Sequence, residues 1–288
     1  MKDLLKEIRL YIGMSQQEFA DQLGVTFATI NRWENAKASP NKLAQTKLYD
    51  FCKEKQIPVF DMTLRRIKEI SKQLNTEEDR VLLYHGSKSG LVGNIAPISR
   101  AQCDFGQGFY MGTDPIQPLT LISDFEKAKF YIVSVCLEGL ATLELKPDLE
   151  WAMVVAYNRG KMDTVKGSKI YETYRHLCLG KDILIGSIAN DRMFYALDNF
   201  FRGMITDLGL IKSLSALQLG QQYVAVTQTG CDAVRIEKEI PISYLERRFL
   251  QDLSEENRAK GISMANDICK NYRREGLFFD EMIEQERE

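Results

Sequence analysis

Two short segments carry the residue types from which a ligand cleft is built. One is His85-Gly86-Ser87, at the end of an apolar run; the other, Asp104-Phe105-Gly106-Gln107-Gly108-Phe109-Tyr110, begins 19 residues later. A histidine offers a ring nitrogen to a hydroxyl, and a glycine in a strand lets the backbone approach a ligand and bond it through its own N–H and C=O. Ser87 adds a weaker hydroxyl contact. The glycines flanking Gln107 permit a tight backbone path with φ > 0, which sets Phe109 and Tyr110 at a fixed angle over the cleft. The face of Tyr110 is then available to a cationic ring. Taken alone, His85 reads as a satisfied histidine at a strand end; the second segment reverses that reading.

The elements that must position these residues follow from the apolar pattern. Residues 81–85 form a strand candidate, 130–137 and 140–145 suggest a hairpin around Glu138-Gly139, and 222–227 is a further strand. Helices are expected over 150–157, 197–201 and 207–217, and the stretch 243–288 reads as charged helices with Tyr244, Leu250 and Leu253 as the apolar stripe. Residues 62–76 form a charged amphipathic helix that links this region to an all-helical N-terminal unit.

Composition bounds the class. Across 288 residues the chain is 44% hydrophobic and 27% charged, which predicts a packed core and room for two domains. Its formal net charge of −2 argues against coating nucleic acid non-specifically, so any DNA contact must be local. The charged N-terminus and the lack of a long apolar run predict a cytoplasmic protein with no membrane partner. Six cysteines without a Cys-x-x-Cys pair, and only two histidines, His85 and His176, predict buried thiols, no disulfide and no metal.

The two motifs together resemble those of ADP-ribosyltransferases of the poly-ADP-ribose polymerase type, in which a His-Gly-Ser/Thr strand and a Phe-Gly-x-Gly-x-Tyr turn grip the nicotinamide half of NAD+. The resemblance implies NAD+ as substrate. It also implies contacts from His85, Gly86, Ser87, Gly108, Phe109 and Tyr110, with His85 bonding a ribose hydroxyl, Gly86 bonding the carboxamide and Tyr110 stacking on nicotinamide. Where relatives open a late strand with glutamate, this chain has Gln222, which can bond the ribose but cannot act as a base. Transfer of a single ADP-ribose is therefore expected, not chain elongation. A second tyrosine of many relatives is replaced by Leu121, with Phe125 nearby.

Tyr84–Ser87, Asp104–Tyr110, 154–159, 182–192 and 221–229 also resemble an uncharacterised bacterial domain family grouped with ADP-ribosyltransferases, whose late strand commonly begins with glutamine. That likeness adds Arg159, Asn190 and Asp191. Arg159 either binds a diphosphate or caps the preceding helix. Asn190-Asp191 is either an Asx turn or the source of an acid/base in Asp191.

The N-terminal unit has its own signature. Ser15 and Glu18 form a capping box, Phe19, Ala20 and Leu23 make the next helix apolar on one side, Gly24 ends it, and Thr26 caps a helix in which Ile30 and Trp33 point inward. This pattern resembles the helix-turn-helix of the phage repressor/Cro (Xre) type, with Ala36 where that family usually has glycine. The resemblance implies duplex DNA as a partner. Phe27, Ala28 and Arg32 face outward to read bases, Gln16 and Asn35 would fix the phosphates at the two ends of the motif, and Thr26 and Lys37 are further DNA-binding candidates. From Lys2 through Lys55 there are nine basic and seven acidic side chains, so specific binding is expected from a homodimer on two half-sites.

The fold class expected is α+β. It comprises an all-α helix-turn-helix domain over 1–60, a helical linker over 61–78, an ADP-ribosyltransferase-like split-sheet domain with flanking helices over 79–242, and a helical extension over 243–288. The functional expectation is an NAD+-dependent mono-ADP-ribosyltransferase fused to a DNA-binding module, of the kind found in bacterial toxin–antitoxin or phage-defence loci, where an antitoxin or regulatory protein would be a further partner. The alternative is a transcriptional regulator whose second domain senses NAD+ or ADP-ribose without turnover.

Overall fold

Local signals settle the first four helices: α1 (Lys2–Tyr11), α2 (Gln16–Leu23), α3 (Phe27–Glu34) and α4 (Lys42–Glu54). In the computed structural model, which describes residues 1–74, 76–188, 191–216, 220–255 and 275–285, Ser15 Oγ accepts from Glu18 N–H at 3.2 Å. In return Glu18 Oε2 accepts from Ser15 N–H at 2.7 Å, completing the capping box. Gly24 takes the left-handed conformation at φ +63 and Thr26 caps α3 through Thr29 N–H. Ile8, Phe19, Ile30 and Trp33 are buried in one core. Ala36 occupies φ +55, the conformation for which glycine is the easy choice.

Helix α5 (Val59–Gln73) joins the two halves by burying opposite ends in different cores. Val59 and Met62 complete the helical core, whereas Ile67 packs beneath the sheet with Tyr84 and Phe130. Ser71 Oγ and Tyr84 Oη lie 3.0 Å apart at the far end of the same contact.

Seven strands follow: β1 (Arg80–Ser87), β2 (Phe109–Gly112), β3 (Lys129–Cys136), β4 (Thr142–Leu145), β5 (Ile183–Ser187), β6 (Gln221–Ala225) and β7 (Val234–Ile240). They form one sheet in the order β4-β5-β6-β2-β1-β3-β7, with β4 and β5 parallel and every other pair antiparallel. The sheet is thus continuous where a split one was expected, but among the described residues its halves are joined only by Tyr84↔Gly112 between β1 and β2.

The expected hairpin of 130–137 with 140–145 is corrected: β3 pairs with β1 and β7, while β4 pairs with β5. The turn at Gly139 (φ +75) exists, but the chain leaves it for the other edge of the sheet. In a flat sheet β3 and β4 would stand five spacings apart, roughly 24 Å at about 4.8 Å each. The six links from Cys136 to Thr142 reach at most about 22 Å even fully extended, and the chain turns at Gly139 on the way. The sheet must therefore curl, and Val133 and Val135 of β3 share a core with Ile183 and Ile185 of β5 on its inner face.

The other face is covered by α6 (Ile116–Ile122), α7 (Leu149–Asn158), α8 (Lys169–Leu177), α9 (Asp191–Phe201) and α10 (Asp207–Ala216). Trp151 and Phe200 are its largest buried rings. A short helix, α11 (Gln228–Asp232), turns β6 into β7.

The C-terminal residues run back over both halves. Helix α12 (244–255) puts Leu245 into the helix-turn-helix core, and Leu245 N–H donates to Gln45 Oε1 at 3.2 Å. Tyr49 and Lys53 of α4 both bond Asp252 at 2.8 Å. The buried stripe of α12 is accordingly Leu245, Glu246 and Leu250 and not Tyr244, Leu250 and Leu253, because the helix is held between two bodies. Helix α13 (Phe279–Gln285) then packs Phe279 on Phe200 and Phe201 of α9.

Candidate functional site

Among the described residues no pairing beyond Tyr84↔Gly112 ties β2 to β1, so the two strands fork at His85. The fork is bridged by a side chain: His85 Nδ1 lies 2.7 Å from the Tyr110 carbonyl oxygen, and its ring stacks on Phe109 with centroids 4.1 Å apart. Burial pushes the His85 pKa down to about 4. The ring is then neutral at physiological pH, its proton sits on Nδ1 to donate to the carbonyl, and Nε2 is left as a hydrogen-bond acceptor. Ser87 donates instead to Gly90 O at 2.9 Å, closing its own turn.

Gly86 is required on steric grounds, since a Cβ there would lie 2.5 Å from the Pro118 carbonyl oxygen of α6. The glycines of the second motif do different work from one another. Gly106 takes φ +73 as expected, but a Cβ at Gly108 would sit 2.5 Å from Val224 Cγ1, so its bare backbone allows close approach to β6. Tyr110 folds this turn: its hydroxyl donates to Gly106 O at 2.8 Å and accepts from Phe105 N–H at 3.0 Å. Burial raises the Tyr110 pKa.

Strand alternation separates the predicted residues. His85 and Phe109 point to the inner face, whereas Tyr110 and Gln222 point to the helix-covered face, with Tyr84, Gly112, Gln222 and Gly186 aligned in one row across β1, β2, β6 and β5. Glycines on both sides of Gln222 leave space that Phe105 and Trp151 partly fill; a Cβ at Gly186 would meet Phe105 Cζ at 2.8 Å. Gln222 is buried and donates from Nε2 to Asp104 Oδ2 and to the Ser187 carbonyl, each at 3.0 Å. The same carbonyl accepts from Trp151 Nε1–H at 3.1 Å.

Asp104 also pairs with Arg159, which is the residue after α7, so the Arg159 guanidinium is directed to this cluster. Asp104, Ser187 and Trp151 are the members that sequence reasoning missed, although Asp104 opens the motif that was singled out. Asn190 and the side chain of Asp191 lie outside the described residues. Leu121 is exposed, and Phe125 carries Lys88 Nζ 4.4 Å from its ring centroid. Among the described residues one group of metal-capable donors gathers, Asp79, Cys136 and Glu138, at the end of β1 remote from His85.

On the helix-turn-helix, Phe27, Ala28, Arg32, Asn35 and Lys37 lie along or just after α3, and all five are exposed. Gln16 is engaged internally: its Nε2 donates to Glu34 Oε2 at 2.7 Å and its Oε1 accepts from Asn31 Nδ2 at 3.2 Å. Glu34 is in turn held by Arg9 at 2.7 Å, which depresses the Glu34 pKa against the cost of its burial. Asn35 donates to Asn31 O at 2.8 Å, and Thr26 is occupied as the cap.

No curated protein and no solved structure matches the chain. A helix-turn-helix model matches residues 5–43, covering α2 and α3, and no helix among the described residues is long and apolar enough to cross a membrane. A model described as a protein of unknown function (DUF3990) matches residues 81–236, from β1 into β7 and through every member of the Asp104–Gln222 cluster. With more than half of its length inside that match, the chain belongs to the DUF3990 family, and it carries a helix-turn-helix at its N-terminus, the arrangement of a DNA-binding regulator.

Proposed function

We propose that this protein is an NAD+-dependent mono-ADP-ribosyltransferase carried on a DNA-binding module. The observation that supports the reading is the adjacency of β1, β2 and β6. The His85-Gly86 strand, the strand that follows the Gly106–Gly108 turn and the Gln222 strand are neighbours in the sheet, with a fork where β1 leaves β2. Opening of the C1′–N bond would send the electron pair out with nicotinamide. The acceptor nucleophile then bonds C1′ and releases its proton to solvent. This chain's groups suited to that chemistry are acceptors: His85 Nε2 toward a ribose hydroxyl, and the Gln222 carboxamide in place of a carboxylate. Arg159 beside Asp104 provides the cation for a diphosphate.

The test is incubation of the purified protein with NAD+ and cell extract, with free nicotinamide measured by chromatography and acceptor mass by spectrometry. Nicotinamide release with single ADP-ribose additions is expected; polymer ladders would contradict the mono-transfer assignment, and no release with any acceptor would remove the enzyme.

One observation favours a second reading. The Tyr110 hydroxyl is committed to its own turn, and α12 joins the DNA-binding core to the sheet domain. A regulator that binds NAD+ or ADP-ribose without turnover, and passes the occupancy to DNA, fits both. Binding measured by calorimetry without nicotinamide release would select it.

A further inference from the structure

The side-chain nitrogen of Gln222 sits between two acceptors, Asp104 Oδ2 and the Ser187 carbonyl, each at 3.0 Å. A carbonyl oxygen can only accept, so the carboxamide is fixed with Nε2 on this side and Oε1 turned away from both. Asp104 is 5% exposed and Gln222 6% exposed, so neither is free to exchange its partner for bulk water. A glutamate at 222 would set a carboxylate against the Asp104 carboxylate and the Ser187 carbonyl, and burial would leave that repulsion largely unscreened.

We propose that Asp104 is the positioning residue of the site: it makes position 222 a glutamine, and it aims the Gln222 carboxamide so that Oε1 receives a hydrogen-bond donor of the ligand, such as a ribose hydroxyl. Arg159 holds the other Asp104 oxygen, which keeps the carboxylate in place as the amide's acceptor. The ligand half of this inference rests on the NAD+ reading above; the pairing of Asp104 with Gln222 does not.

The experiment is a double-mutant cycle on the full chain with Asp104→Asn, Gln222→Glu and the two combined, read by thermal midpoint and by ADP-ribose binding in calorimetry. Gln222→Glu should lower the midpoint. Adding Asp104→Asn should recover part of that loss, because the introduced amide can donate to the new carboxylate while Trp151 keeps the Ser187 carbonyl satisfied. Additive losses would overturn the pairing. Among variants that remain folded, Asp104→Asn should weaken ADP-ribose by about tenfold, the scale of one buried hydrogen bond misdirected. An unchanged affinity would overturn the positioning role. Gln222→Leu controls for folding, since it removes the amide without adding charge. Failure of the unmodified protein to bind ADP-ribose or NAD+ while the stability coupling holds would refute the functional reading and its ligand half, and leave the Asp104–Gln222 dependence standing.

Discussion

Glu246 of α12 meets Arg66 of α5 at 2.6 Å, with the carboxylate only 1% exposed. The same carboxylate accepts from Ser243 N–H at 2.7 Å and from the Ser243 hydroxyl at 2.6 Å, so it caps its own helix while holding a neighbour. One side chain thus locks α12 onto the helix that spans both cores.

Glu246→Ala should destabilise the protein by about 3 kcal/mol, since it leaves Arg66 without its anion and removes the return half of the capping box at Ser243, whose Oγ still accepts from the N–H of residue 246. Urea unfolding followed by circular dichroism measures this. A loss under about 0.5 kcal/mol, the scale of an ordinary surface substitution, would show that the pair contributes nothing beyond its geometry.

Ala36 stands at φ +55, and Gly106 at φ +73. Ala36→Gly should raise stability by roughly 0.5–1 kcal/mol, because removing Cβ relieves the left-handed backbone by more than the added unfolded-chain freedom costs. Gly106→Ala should cost about 1–2 kcal/mol for the reverse reason. Gly108→Ala should cost roughly 1–3 kcal/mol through the contact with Val224. Thermal midpoints of the three variants should therefore move in opposite directions, up for the first and down for the others.

His85 titrates near pH 4 in the folded protein, below its ordinary value of 6.5, because of burial. The unfolded chain therefore binds the proton more readily between those values. The contribution is fully present above about pH 6.5 and is lost as pH falls toward 4, with a total of order 3 kcal/mol. The difference in unfolding free energy between the unmodified protein and His85→Gln, measured from pH 7 to pH 4, should shrink along that path. A constant difference would mean that the ring keeps its ordinary pKa.

Arg32→Ala should reduce operator affinity by about 1–3 kcal/mol and blur one base position, as expected for a guanidinium on the recognition helix α3. Gln16→Ala should behave differently. Its bonds to Glu34 and Asn31 make its loss a folding cost of about 1 kcal/mol, and any weakening should be the same for all sequences. Footprinting upstream of the protein's own gene supplies the operator, and fluorescence anisotropy on specific and scrambled duplexes separates the two effects.

The helical N-terminus could be read from the chain because its determinants are local: Ser15 with Glu18, Gly24 and Thr26 each act within one turn. Four strand positions were legible for the same reason, but β2, β5 and β7 were not read from the chain, and none of the partners was. Thr142–Leu145 looks like the return arm of a hairpin until Ile183–Gly186, some 40 residues on, takes it as a parallel neighbour. In the site, the motif residues were found by spacing, but strand alternation sends His85 and Tyr110 to opposite faces, and that depends on register. Asp104 was hidden because its partners, Arg159 and Gln222, lie 55 and 118 positions away.

The order of the strands also sets a timetable. Phe109–Gly112 is the middle strand of the sheet, but one of its edges waits for Gln221–Ala225, more than a hundred residues further along. At about 5–20 residues per second on a ribosome, that edge stays open for roughly 5–20 seconds. During that interval the apolar residues Phe109 and Met111 lack their Ala225 and Tyr223 neighbours, and the helical N-terminus still lacks Leu245. Synthesis must therefore reach the tail before either half is finished, so the open edge and the uncovered apolar surface belong to the nascent chain and not to the mature protein.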